Sequence, residues 1–172
     1  MKRRSVFLAA PALLLSACGY HITGQGDMIP KSIKTIAIPP FENITTRQTL
    51  ARMLAADVTR EFNSRTRYRI VDDRDHADAV LQGRLTNFSV NPIIFDPNTG
   101  AATTVHVRAV VQVTLTDRAT GKIIFSRANM EWDERYQVSN NAQEYFDESG
   151  TAIMRISQDM SHMIVSGVLE NF

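Results

Sequence analysis

The longest regular pattern in the chain runs over Thr103–Thr116. There Val105, Val107, Ala109, Val111, Val113 and Leu115 alternate with His106, Arg108, Val110, Gln112 and Thr114. A period of two with apolar residues in one phase predicts an antiparallel strand, buried on one face and wet on the other. Its neighbours are predicted at Ala79–Asn91 and Ile123–Tyr136, joined by turns at Asp96-Pro97-Asn98-Thr99-Gly100 and Asp117–Gly121. In the first neighbour, Leu81 and Leu85 are out of phase with Phe88 and Val90, so a bulge near Thr86 is expected. In the second, the alternation puts Ile124, Ala128, Met130 and Trp132 on one face and Arg127, Asn129 and Glu131 on the other.

Upstream, Ile33–Ile38 and Tyr68–Val71 read as short strands. Pro39-Pro40 stops the first, Phe41–Asn43 turns, and Asp72–Asp78 is an acidic loop. Two stretches carry the helical period instead. Leu50, Met53, Leu54, Val58 and Phe62 predict a helix over Arg47–Asn63, capped by Thr45 or Thr46. Ile153, Ile156, Met160, Met163, Ile164 and Val168 predict a second within Ala142–Leu169, with Gly150 a point of interruption. Met154, Met160 and Met163 are read as core filling and Trp132 as core, while Tyr136 is left open between core and partner surface. The sum is an α+β, two-layer sandwich: two helices packed on one face of a mixed, mostly antiparallel sheet of four to five strands. The other sheet face is left polar.

The first residues follow a different logic. Lys2, Arg3 and Arg4 precede an apolar run, Val6–Leu15, and then the small residues Ser16 and Ala17 ahead of Cys18, the only cysteine. This is the organisation of a secretory signal. The expected division is residues 1–17 signal peptide, 18–31 lipidated tether and 32–172 a single domain. Leu15-Ser16-Ala17-Cys18 resembles the lipobox of bacterial lipoproteins. That resemblance implies cleavage before Cys18, acylation of its thiol and of the new amine, and anchoring without a membrane-crossing helix. Gly19, where aspartate would imply retention in the inner membrane, implies transfer to the outer one. Loss of residues 1–17 takes the formal charge from +1 to −2.

Near-neutral charge argues against a nucleic-acid binder, and a lone cysteine against a disulfide framework or a thiolate zinc site. His21, His76, His106 and His162 have no ligand spacing, and no nucleophile-elbow, phosphate-loop or H-E-x-x-H motif occurs. Asp72, Asp73, Asp75 and Asp78 form the one dense acidic group. Arg74 and His76 interrupt it and no glycine helps it turn, so a solvated loop is expected rather than a calcium site. Neither catalysis, metal nor cofactor is expected.

Five segments in order, Cys18-Gly19-Tyr20-His21 with Gly24, Ile36–Asn43 (IAIPPFEN), Ala77–Gly83 (ADAVLQG), Asp117–Gly121 and Tyr136-Gln137-Val138-Ser139, resemble the lipopolysaccharide-assembly lipoproteins, the LptE family. The resemblance implies a helix-and-sheet sandwich at the periplasmic face of the outer membrane. It implies a non-enzymatic partner of an LptD-type β-barrel that plugs the lumen, supports barrel assembly and helps deliver lipopolysaccharide to the outer leaflet. A polar sheet face carrying Arg84, His106, Arg108, Gln112, Thr114, Arg127 and Asn129 suits a polar lumen. Arg84, Arg108, Arg118, Lys122 and Arg127 are the candidate contacts to lipopolysaccharide phosphates or to the barrel. The family's basic residues near a hairpin tip and before the last helix have no counterpart here. Phe95–Ala102 lacks cations and Ser139–Gly150 is acidic. IAIPPFEN, a helix, YRIV and ADAVLQG also resemble lipoproteins of the LpoB and CsgG type, which activate cell-wall synthases or form secretion pores. The CGYH opening and the YQVS segment separate the two readings.

Overall fold

The structure, a computed structural model, describes residues 29–138 and 150–170. Its elements in chain order are β1 (Thr35–Ala37), β2 (Glu42–Asn43), α1 (Gln48–Arg65), β3 (Arg69–Val71), a short 3-10 turn (Arg74–His76), β4 (Ala79–Phe95), β5 (Ala102–Asp117), β6 (Ile123–Gln137) and α2 (Thr151–Glu170). Cys18 and the stretch of the last helix expected before Gly150 lie outside the described residues.

The alternating strand, β5, sits between β4 and β6 in antiparallel pairing. The sheet order is β3-β1-β4-β5-β6, with β2 paired to β4 off that path. Val105, Val107, Ala109, Val111, Val113 and Leu115 are all fully buried, as the alternation requires. They meet Leu50, Leu54, Val58 and Phe62 of α1 and Ile153, Ile156, Met160, Ile164 and Val168 of α2. The core already includes Ile29 and Ile33, so packing begins within the stretch read as tether.

The sheet has six strands rather than four to five. The extra one is Glu42–Asn43, expected as a turn, which runs parallel to β4 opposite Arg84 and Leu85. Ile36 and Ala37 pair farther back along the same edge, with Ala79 and Val80. Pro39 and Pro40 lie between; lacking amide donors, they split one edge strand into two. The ring of Phe41 then fills the place where a Cβ on Gly83 would stand. That contact ties two of the motifs together physically, since only glycine leaves β4 open to the ring. Asp78 ties them again: its Oδ2 accepts the amides of Lys34 (2.8 Å) and Thr35 (2.9 Å), and its own amide donates to Thr35 Oγ1 (2.9 Å). These donors hold the Asp78 carboxyl below the usual carboxylate range, the Lys34 amide contributing most.

The pairing of β4 slips between Leu85 and Asn87, at the bulge expected near Thr86, and Thr86 Oγ1 donates to the Val110 carbonyl at 3.1 Å. β4 then continues past Asn91 to Phe95. β6 departs from its expected phase. Phe125 pairs with Leu115, Arg127 with Val113, Met130 with Val111 and Trp132 with Ala109. Phe125, not Ile124, therefore enters the core. Ala128 and Asn129 together oppose Gln112 as a bulge, and Arg127 falls in the helix-facing register instead of on the polar face. Two register shifts in one strand defeat a strict period of two. Met154 is a further correction: it is 43% exposed, off the stripe that buries Met160. Trp132 is half-buried against the core and Tyr136 is buried, their rings 6.4 Å apart.

Neither threonine caps α1. Arg47 holds the N-cap position with no side-chain cap bond, and Thr45 Oγ1 accepts the Arg47 amide one residue too early, at 3.1 Å. The two helices run in the same direction, joined by a ladder of polar pairs. Ser157 donates to the buried Asp57, which also pairs with Arg60. His162 lies 2.5 Å from Glu61, and Arg65 donates to Ser166 at 2.7 Å.

Candidate functional site

Both helices occupy one side of the sheet, which leaves the other side of β4, β5 and β6 uncovered. Its register pairs Arg84 with Gln112, Ser89 with Arg108 and Asn91 with His106 on β4–β5. On β5–β6 it pairs Arg108 with Asp133 and Thr114 with Ser126. This is the polar face that the alternation predicts.

Apart from Arg135, which lies opposite His106, its charges are compensated locally. Arg84 donates from Nε to Glu42 Oε2 at 2.7 Å and approaches it again through Nη2 at 2.5 Å. Arg108 donates from Nε to Asp133 Oδ1 at 3.0 Å, with Glu131 3.6 Å from Nη2. Asp133, then Glu131, hold the Arg108 guanidinium more firmly protonated than usual. His106 Nε2 is 3.0 Å from the same Asp133 oxygen. Of the three acids, Glu131 was expected on this face, whereas Glu42 and Asp133 are residues that the sequence reading missed. The signal for Asp133 is cross-strand register, which follows only once the β6 bulge is placed. All these pairs are exposed, so each contributes little to stability, and their consequence is electrostatic. The face presents many hydrogen-bonding groups and little net field. A shallow depression of about 210 Å³ lies at its β2 side, lined by Pro39, Pro40, Glu42, Arg74, Arg84 and Gln112 among others.

The five candidate cations do not converge. Arg84 and Arg108 lie on the polar face, each engaged as described. Arg118 sits at the β5–β6 turn, where its Nε donates to the Ala77 carbonyl at 2.8 Å and its amide to the Asp78 carbonyl at 2.9 Å. It therefore braces the β1–β4 edge. Lys122 is exposed in the same turn, and Arg127 is exposed on the opposite register. Among the described residues no group of three or more His, Cys, Asp or Glu side chains can hold a metal ion, and no helix is long and apolar enough to cross a membrane.

A mixed sheet backed by helices on one side is an α+β fold shared with other solved structures. Solved structures with this fold include lipoprotein B from Nitrosomonas europaea, 15% identical, covering 88% of this chain and 90% of that one at a TM-score of 0.54. A PelC dodecamer from Paraburkholderia phytofirmans is 13% identical over 79% of this chain and 86% of that one, TM-score 0.51. A hypothetical protein from Chlamydia trachomatis is 10% identical over 82% and 100%, TM-score 0.52. At these identities the likeness is one of fold alone. No curated protein sequence matches the chain significantly.

The family is decided by the sequence match. Residues 33–167 match the lipopolysaccharide-assembly family LptE, and the chain belongs to that family. The match spans the Phe41–Gly83 contact, the Asp78 clamp and both hairpins.

Proposed function

We propose that the chain is a non-catalytic outer-membrane lipoprotein, anchored through Cys18 at the periplasmic face, that plugs an LptD-type β-barrel. In this role it supports barrel assembly and assists lipopolysaccharide delivery to the outer leaflet. Family membership supports the lipopolysaccharide-assembly role. The observation that carries the plug reading is the uncovered face of β4–β6, rich in hydrogen-bonding groups and with most of its charges already paired. The lumen of a large barrel is polar, so an apolar plug face would be mismatched there. A face of unpaired charges would suffer a desolvation penalty on entry, which compensated pairs reduce.

Within this reading Arg84 and Arg108 serve the barrel contact, because contact with a phosphate would require each to leave a carboxylate. Arg118 holds the sheet edge. Lys122 and Arg127 have no described side-chain partner and reach a phosphate most cheaply. The test is co-purification of the tagged full-length chain from outer membranes. A stoichiometric large β-barrel is the expected partner; a penicillin-binding protein in its place would favour the regulator reading.

A further inference from the structure

Two stretches that the plug reading leaves unused meet at one place on the open face. Pro39, Pro40 and Glu42 of IAIPPFEN and Gln82 of ADAVLQG line the depression of about 210 Å³ at the β2 side, together with Arg74 and Arg84. Its walls are rigid. Each proline ring fixes its own φ, and the Phe41 ring against Gly83 holds the segment that follows them onto β4.

Charge is not balanced here. Farther along the face, Arg108 and Arg135 stand against Glu131 and Asp133. In the depression Arg74 and Arg84 stand against Glu42 alone, and Glu42 is already bonded to Arg84. No hydrogen bond or ion pair engages the Arg74 side chain among the described residues. The acids beside Arg74 in the chain do not fill this gap. Asp73 accepts the Asp75 amide at 2.8 Å and lies 2.7 Å from His76, and neither it nor Asp72 or Asp75 lines the depression.

On the plug reading, we propose that this depression receives an acidic side chain, a glutamate or an aspartate, from the wall of the barrel. The hollow offers one uncompensated positive charge and takes one negative charge. Gln82, Gln112 and Thr114 add neutral donors beside the guanidiniums, which suits the several lone pairs of a carboxylate. The proline rings give an apolar wall for the CH₂ stem of the same side chain. A phosphate monoester carries nearly two negative charges and no such stem, so its second charge meets Glu42 and the proline rings stay uncovered. A neutral saccharide satisfies the amides and leaves Arg74 unpaired. A second copy of this chain would have to offer an acid, and on its own open face Glu42, Glu131 and Asp133 are already held by Arg84 and Arg108.

The test is a zero-length coupling of the full-length chain in outer membranes. Arg74→Lys keeps the cation and puts a primary amine in the depression. A water-soluble carbodiimide joins that amine to a carboxylate in contact with it, forming an amide while the carbodiimide takes up the water. The expected result is an adduct in which mass spectrometry finds position 74 linked to an aspartate or glutamate of a large β-barrel, with no adduct at that position in Arg74→Gln. Arg74→Glu should lower recovery of the barrel about tenfold, because like charges then meet. A photoreactive side chain at Gln112 reports on the plug reading separately. If it forms the barrel adduct while Arg74→Lys forms none, the open face meets the barrel without an acid in the depression, and the proposal is overturned. Coupling of position 74 to an acid of its own chain overturns it as well, as does recovery unchanged by Arg74→Glu. If neither position forms a barrel adduct, the plug reading itself fails and takes the proposal with it.

Discussion

The two ends of the long sheet share a turn pattern but not its bracing. At the β5–β6 end the turn is locked into the rest of the molecule: Arg118 bonds to Ala77 and Asp78, and Asp78 in turn holds the start of β1. At the β4–β5 end the turn bonds only within its own hairpin, and its large side chains are half-exposed. The difference teaches that one turn pattern can be tied into the rest of the molecule at one end of a sheet and left to its own hairpin at the other.

The largest effect expected from probing this contrast lies in the braced region. Gly83→Ala puts a methyl into the Phe41 ring and forces the ring out of the core. A loss of about 1–3 kcal/mol follows, read by urea unfolding. A fully neutral substitution would mean that the β1–β2 edge is not held by this contact, and the braced end would lose half its distinction.

A smaller effect compares the turns themselves. Gly100→Ala and Gly121→Ala each meet no atom but must hold positive φ, so each costs about 1 kcal/mol. Equal costs in the same unfolding assay are expected, because both turns close through the same aspartate, threonine and glycine bonds. A much larger cost at Gly121 would show that the strain spreads through Arg118 into the β1 edge, and the turns would then no longer be equivalent parts on different shoulders.

Much of this architecture is legible from residues alone. β5 announces itself because its alternation is unbroken, and the Thr86 bulge because the phase on either side of it is clear. Both turns carry their own signature of aspartate, threonine and glycine. β6 misleads because two irregularities, at Ile124 and at Ala128-Asn129, shift the phase twice within one strand. That error moved Arg127 to the wrong face and hid Asp133 as the partner of Arg108. β2 is invisible for another reason. Two residues after a proline pair have no period to detect, and only the free edge of β4 makes them a strand. Met154 lies one position beyond Ile153 on α2, and that 100° turn separates exposed from buried. The polar face was therefore readable as polar, whereas its local neutrality depends on registers that only the folded chain displays.

The most direct measurement is photocrosslinking from the two sides of the sandwich within outer membranes. A photoreactive side chain at Gln112, on the open sheet face, should form an adduct with a large β-barrel, and one at Met154, on the exposed side of α2, should form little or none. An adduct from Met154 with none from Gln112 would contradict the account, because the helices rather than the open sheet would then face the partner.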